Sequence, residues 1–95
     1  MITFFVRMKF REEDRKGIEE VLIPLAEASR QEPGCLAYTP HWMESEPDTL
    51  LLYEQYRDEA ALEHHRASEH FKQYAVGGLY QKMLDRQLEN LHALL

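Results

Sequence analysis

The chain has 95 residues, 44% of them hydrophobic, and carries 11 basic against 17 acidic side chains for a net charge of −6. That composition suits a single packed domain over residues 1–95 rather than a disordered chain. The acidic balance excludes a nucleic-acid surface, which needs clustered cations to displace phosphate counterions, and a polybasic membrane contact.

The single cysteine, Cys35, allows no internal disulfide and no Cys-based zinc framework, which points to a reducing, cytoplasmic setting. No leader-like pattern opens the sequence, and no apolar run approaches the roughly 18 residues needed to cross a bilayer.

Residues 2–10, ITFFVRMKF, alternate with period two, so Ile2, Phe4, Val6, Met8 and Phe10 share one face of a half-buried strand. Residues 12–31 change to helical spacing through Ile18, Val21, Leu22, Leu25 and Ala28, with Glu12, Glu13 and Asp14 at the favourable end of the dipole. Pro24 predicts a kink inside this helix and Pro33-Gly34 its end. Residues 35–44 read as a second strand, at an edge or bulged because Pro40 has no backbone donor.

A turn over 45–48 leads to a third strand, 49–57, whose Leu50-Leu51-Leu52 run is apolar on both faces and therefore predicts a central strand. Asp58 suits the N-cap of a short helix, and Ser68 the N-cap of a second helical segment that Gly77-Gly78 weakens or ends. Residues 82–91 fit either helix or strand: propensity favours a helix, topology a strand. The tail, 92–95, is apolar and has no obvious place in a small monomer.

The order is βαββαβ. It predicts an α+β, ferredoxin-like fold, an antiparallel four-stranded sheet with helices on one face. The other face keeps apolar residues, which predicts a homodimer packed through its sheet faces with the C-terminal tail reaching across.

The runs PGCLAY at 33–38 and LLLYEQYRDEAALEHHRASEHFKQY at 50–74 resemble the antibiotic biosynthesis monooxygenase superfamily, especially its small quinol monooxygenase-like members. The matching pattern is a strand ending Tyr53-Glu54-Gln55-Tyr56, a helical His65, and the step Ser68-Glu69-His70-Phe71. The resemblance implies a dimeric α+β barrel with a pocket between sheet and helices. It also implies a cofactor-independent monooxygenase that uses O2 on a small aromatic, phenolic or quinol substrate. Haem-degrading relatives carry an asparagine on the first strand; here that strand has Arg7 and Lys9 instead. Tyr56 stands where many oxygenase-like members have tryptophan. Another relative isomerises a phosphorylated sugar, so an isomerase of a small polar metabolite is an alternative, with Arg7, Lys9 and Arg86 as candidate anion-binding groups. A non-catalytic small-molecule-binding dimer is a third.

The stretch EHHRASEHF, residues 63–71, holds three of the five histidines. His64 and His65 are adjacent, so on a helix they point about 100° apart and do not readily share an ion. Nothing in the spacing makes His65 and His70 converge, and no metal is expected. Acid–base chemistry fits better, because imidazole exchanges protons near neutrality. In that reading His65 or His70 carries the proton, and Glu54, a carboxylate on a buried strand face, orients it. Tyr53, Tyr56, Phe71 and Tyr74 would line the pocket. The competing reading is a polar network that ties two helices to the strand through Glu54. His41 and Trp42 form either a substrate wall or dimer packing. Arg86 would bind an anionic group or, more simply, pair with an acid. His64, beside Glu63 and Arg66, is expected to face water.

Overall fold

β1 (Ile2–Lys9) directs Phe4, Val6 and Met8 inward, and Phe10 follows them into the core. The computed structural model describes residues 1–95. After a 3-10 turn, Glu12–Asp14, α1 (Arg15–Arg30) buries Ile18, Leu22, Leu25, Ala26 and Ser29, one stripe at helical spacing. Pro24 lies inside this single helix. β2 (Cys35–Trp42) and β3 (Thr49–Tyr56) form the next hairpin, α2 (Glu59–Ala67) follows, and β4 (Asp85–Leu91) closes the sheet.

The sheet is antiparallel in the order β2-β3-β1-β4, the ferredoxin-like arrangement. β3 is central, as its doubly apolar run predicts. β2 is an edge strand and its register slips between Cys35 and Ala37, so Pro40 sits on the strand that can spare a donor. Residues 85–91 form a strand despite their helical propensity, because backbone pairing with β1 outweighs a few tenths of a kcal/mol per residue.

The helical region after α2 departs from expectation. Gly77 and Gly78 do not end it: a π-helical segment, Phe71–Leu79, continues through both into a last turn, α3 (Tyr80–Lys82). Packing explains this. A Cβ at Gly78 would lie 3.3 Å from the Val21 side chain, so the glycine lets this segment approach α1 closely. Helices cover one sheet face and seal Phe4, Val6, Met8, Tyr38, Leu50, Leu52 and Tyr56. Phe5, Leu51 and Tyr53 occupy the opposite face and stay half-buried, while Leu94 and Leu95 in the tail are exposed. No helix is long and apolar enough to cross a membrane.

Gly34 is the tightest backbone approach. A Cβ there would overlap Cβ of Ala61, and its carbonyl accepts from the Arg57 N–H at 2.8 Å. Gly34→Ala is therefore expected to destabilise the fold by about 1–3 kcal/mol or more through overpacking. Gly17→Ala, with open space around it on α1, should instead stabilise by about 0.4–1 kcal/mol. Urea midpoints of the two variants check the contrast.

Candidate active site

α2 starts at Asp58, whose carboxylate accepts from the Ala61 N–H at 2.9 Å and is held below its usual range chiefly by that bond. The helix then buries Ala61, Leu62 and His65, the i, i+1 and i+4 positions facing the sheet, and leaves His64 exposed as expected. Ser68 ends it. Its hydroxyl donates to the His65 carbonyl at 2.6 Å and accepts from the Phe71 N–H at 3.2 Å. One residue thus closes α2 and opens the next helical segment, which fixes His70 relative to His65.

Both histidines converge on a residue that the motif does not contain. Glu32, just beyond the end of α1, is only 7% exposed. Its Oε2 lies 2.9 Å from His65 Nδ1 and 2.5 Å from His70 Nε2. A carboxylate only accepts, so both ring nitrogens donate. A neutral His65 therefore keeps its lone pair on Nε2, turned away from Glu32. His65, 2% exposed, sits among Tyr38, Tyr56 and Phe71, with ring centroids 5.2–5.6 Å away. Burial lowers its pKa from 6.5, against the raising effect of Glu32.

Glu54 is also buried, at 6% exposure, and accepts from the Tyr56 hydroxyl at 2.6 Å. The two are i, i+2 on β3 and so share the inner face. Burial pushes the Glu54 carboxyl up from 4.5 to about 7, and the Tyr56 bond only partly offsets this. Burial, then the neighbouring carboxylate, drives the Tyr56 phenol far up. Glu54 Oε1 stands 3.9 Å from His65 Nε2, beyond hydrogen-bond reach. The expected tie between the histidines and Glu54 is thus corrected: Glu32 orients both imidazoles, and Glu54 faces the free nitrogen of one.

Between sheet and helices a cavity of about 30 Å³ meets Glu54 and His65, room for about two waters at roughly 15 Å³ each. Nine of its thirteen lining residues are hydrophobic, among them Tyr38, Leu52, Phe71 and Tyr80, and Arg66 and Arg86 also border it. Arg86 lies over the Tyr80 ring at 5.8 Å rather than in an ion pair with an acid.

Of the sequence candidates, the structure brings together His65, His70, Glu54, Tyr56 and Phe71. Tyr53 is on the opposite sheet face, and half-buried Tyr74 packs on the core without lining the cavity. His41 Nδ1 lies 3.2 Å from the Leu51 carbonyl at the exposed edge. Trp42 is neither a wall of the cavity nor on the open face: it packs edge-on to Phe10, lies under the Arg15 guanidinium and donates to Glu19 at 2.8 Å. Glu32 and Tyr38 were missed. Glu32 did leave a trace, since an acid just past a helix C-terminus opposes the dipole and calls for a specific partner. The missing metal geometry is also corrected: Glu32, His65 and His70 present ligand atoms within 4.8 Å of one another.

The sequence profile of the antibiotic biosynthesis monooxygenase family matches residues 1–76. A crystal structure of an antibiotic biosynthesis monooxygenase superposes with a TM-score of 0.91 at 26% identity, covering 100% of both chains. A Bacteroides thetaiotaomicron protein, described as a proposed member of that group, gives 0.91 at 28% identity, covering 99% of this chain and 90% of that one. An uncharacterised protein of Synechocystis is 38% identical over 48 residues, or 50% of this chain. The match spans 33% of that curated relative.

The two buried groups predict opposite pH slopes. Folded Glu54 keeps a proton that the unfolded chain releases above 4.5, so its contribution is full below that pH and is lost as pH rises through about 7. The unfolded chain protonates His65 more readily than the folded one, so that contribution is lost as pH falls below 6.5. Glu54→Gln should be more favourable relative to wild type at pH 8 than at pH 5, by roughly 2–3 kcal/mol. Denaturant titrations at both pH values check this. Tyr56→Phe, which removes the donor, should raise the Glu54 pKa further, as read from its carboxyl carbon resonance.

Proposed function

The chain belongs to the antibiotic biosynthesis monooxygenase family, and from that premise we propose that it is a cofactor-independent monooxygenase of a small phenolic or quinol substrate. One observation supports this reading most: His65 is locked by Glu32 with its free Nε2 facing Glu54 and a mostly apolar cavity. Glu32 sets the tautomer, as a carboxylate does for a general-base imidazole.

In this reading His65 Nε2 takes the phenolic proton. The electron-rich anion then reduces O2, one oxygen atom enters the ring and the other leaves as water. The quinol is the reductant and leaves as a hydroxyquinone. The apolar walls keep water from quenching the anion. The protonated form of Glu54, which accepts from the Tyr56 hydroxyl, supplies a donor toward a developing oxyanion. His70 holds Glu32 in place from the other side.

The cavity is far below the roughly 300–1,000 Å³ of ordinary ligand pockets. Substrate therefore enters as the Phe71–Leu79 segment moves outward, and π-helical winding is frequent at such functional positions. Arg66 and Arg86 are the observation that favours the isomerase alternative, in which they would hold an anionic group. The nine apolar lining residues favour the oxygenase.

The reading also includes a homodimer through the open sheet face, where Phe5, Leu51 and Tyr53 lie, with the tail crossing over. It takes residues 1–95 as one functional unit in a reducing cytoplasm, where Cys35 stays a thiol. The thiol is raised to about 11, first by burial, and is thus a poor nucleophile.

Chelator-treated protein should consume O2 with a quinol panel. His65→Ala is expected to lower turnover about 10²–10⁴-fold and Glu32→Gln about 10–100-fold, with folding verified by circular dichroism. Uptake no greater than that of a His65→Ala, His70→Ala double variant would sink the proposal. Turnover of phosphorylated sugars without O2 would favour the isomerase. Leu51→Glu should shift the sedimentation coefficient from dimer to monomer.

A further inference from the structure

We propose that Glu32, His65 and His70 form a binding site for a first-row divalent cation of the zinc type. The donors are one carboxylate and two imidazoles, a set that suits such ions and leaves a fourth position for water. They come from the loop after α1, from α2 and from the turn that opens the next helical segment, yet their ligand atoms lie within 4.8 Å of one another.

A second feature points the same way. Glu32 Oε1 is buried and has no hydrogen-bond partner. The two imidazoles both use Oε2, so half of a buried carboxylate is left without a donor, which costs free energy. A cation held by both carboxylate oxygens removes that cost and takes the place of the two N–H protons. Zinc bonds to nitrogen and oxygen of about 2.0–2.2 Å set tetrahedral ligand separations of roughly 3.3 Å. The present N···O distances of 2.9 and 2.5 Å open toward that value, and the two imidazole nitrogens, within 4.8 Å of each other, close toward it. The His70 side chain, 22% exposed, gives the ion a path from solvent. The Ser68 bridge between the two helical segments already holds both imidazoles near their binding positions.

The ion would act on the chemistry by competing with it. An imidazole that ligates through Nδ1 keeps its proton on Nε2. Zinc at this site therefore turns the cavity-facing nitrogen of His65 from acceptor into donor. This consequence rests on the reading of His65 as the base; the binding does not.

Chelator-treated protein is dialysed against zinc sulfate and its metal content measured, for wild type, His70→Ala, Glu32→Gln and, as a surface control, His64→Ala. The expected result is one zinc per chain, bound at least tenfold more weakly by His70→Ala and Glu32→Gln and unchanged in His64→Ala. The ¹⁵N spectrum of the wild type should show His65 Nδ1 losing its proton on binding. Substoichiometric zinc, or equal weakening by His64→Ala, overturns the site. No step depends on turnover, so absent oxygenase activity leaves the site standing.

Discussion

A single carboxylate oxygen, Glu32 Oε2, takes two imidazole donors in a buried site, and the helical layer is organised around it. The partners are 33 and 38 residues distant in sequence. The contact therefore fixes the end of α1, the last turn of α2 and the start of the following segment against one another. A buried charge is costly without partners, and removing one partner costs more than the pair itself contributes. The convergence thus adds a polar constraint on the fold beside the apolar core. Ser68 makes it possible, because it satisfies the end of one helix and the start of the next with one hydroxyl.

The sheet supplies the other half of the site. β3 presents Glu54 and Tyr56 on its inner face and β2 adds Tyr38, so a carboxyl group and an imidazole face each other inside an aromatic enclosure. Burial raises one pKa and lowers the other. Both groups can then be neutral over one pH range, a poised pair rather than an ion pair. The same desolvation that costs stability shifts both groups away from their ordinary values.

The sequence read most clearly where local pattern and long-range packing agree. The alternation of β1, the doubly apolar run of β3, the Pro40 edge strand and the caps at Asp58 and Ser68 each carry their cause within a few residues. Of the two expected effects of Gly77-Gly78, weakening or ending the helix, the ending did not occur, and Gly78 instead gives a close approach to Val21 across a helix interface, which no local pattern encodes. Trp42 misled for a similar reason: whether an edge-strand aromatic meets a partner copy or its own α1 depends on which sheet face the helices cover.

The sequence alone determined the βαββαβ order, the inward side of each early strand, and the residue types near the cluster: His65, His70, Glu54, Tyr56 and Phe71. The order and the strand sides follow from periodicity and capping, which act over a few residues, and the cluster residues from the resemblance to the family's motif. Only the tertiary structure decided that Glu32 holds the histidines, that Glu54 stands 3.9 Å from the free nitrogen of His65, and that Tyr53, Tyr74, His41 and Trp42 lie elsewhere. The reason is physical. A hydrogen bond between residues more than thirty positions apart exists only once burial has excluded water, and burial is a property of the assembled layers rather than of any segment.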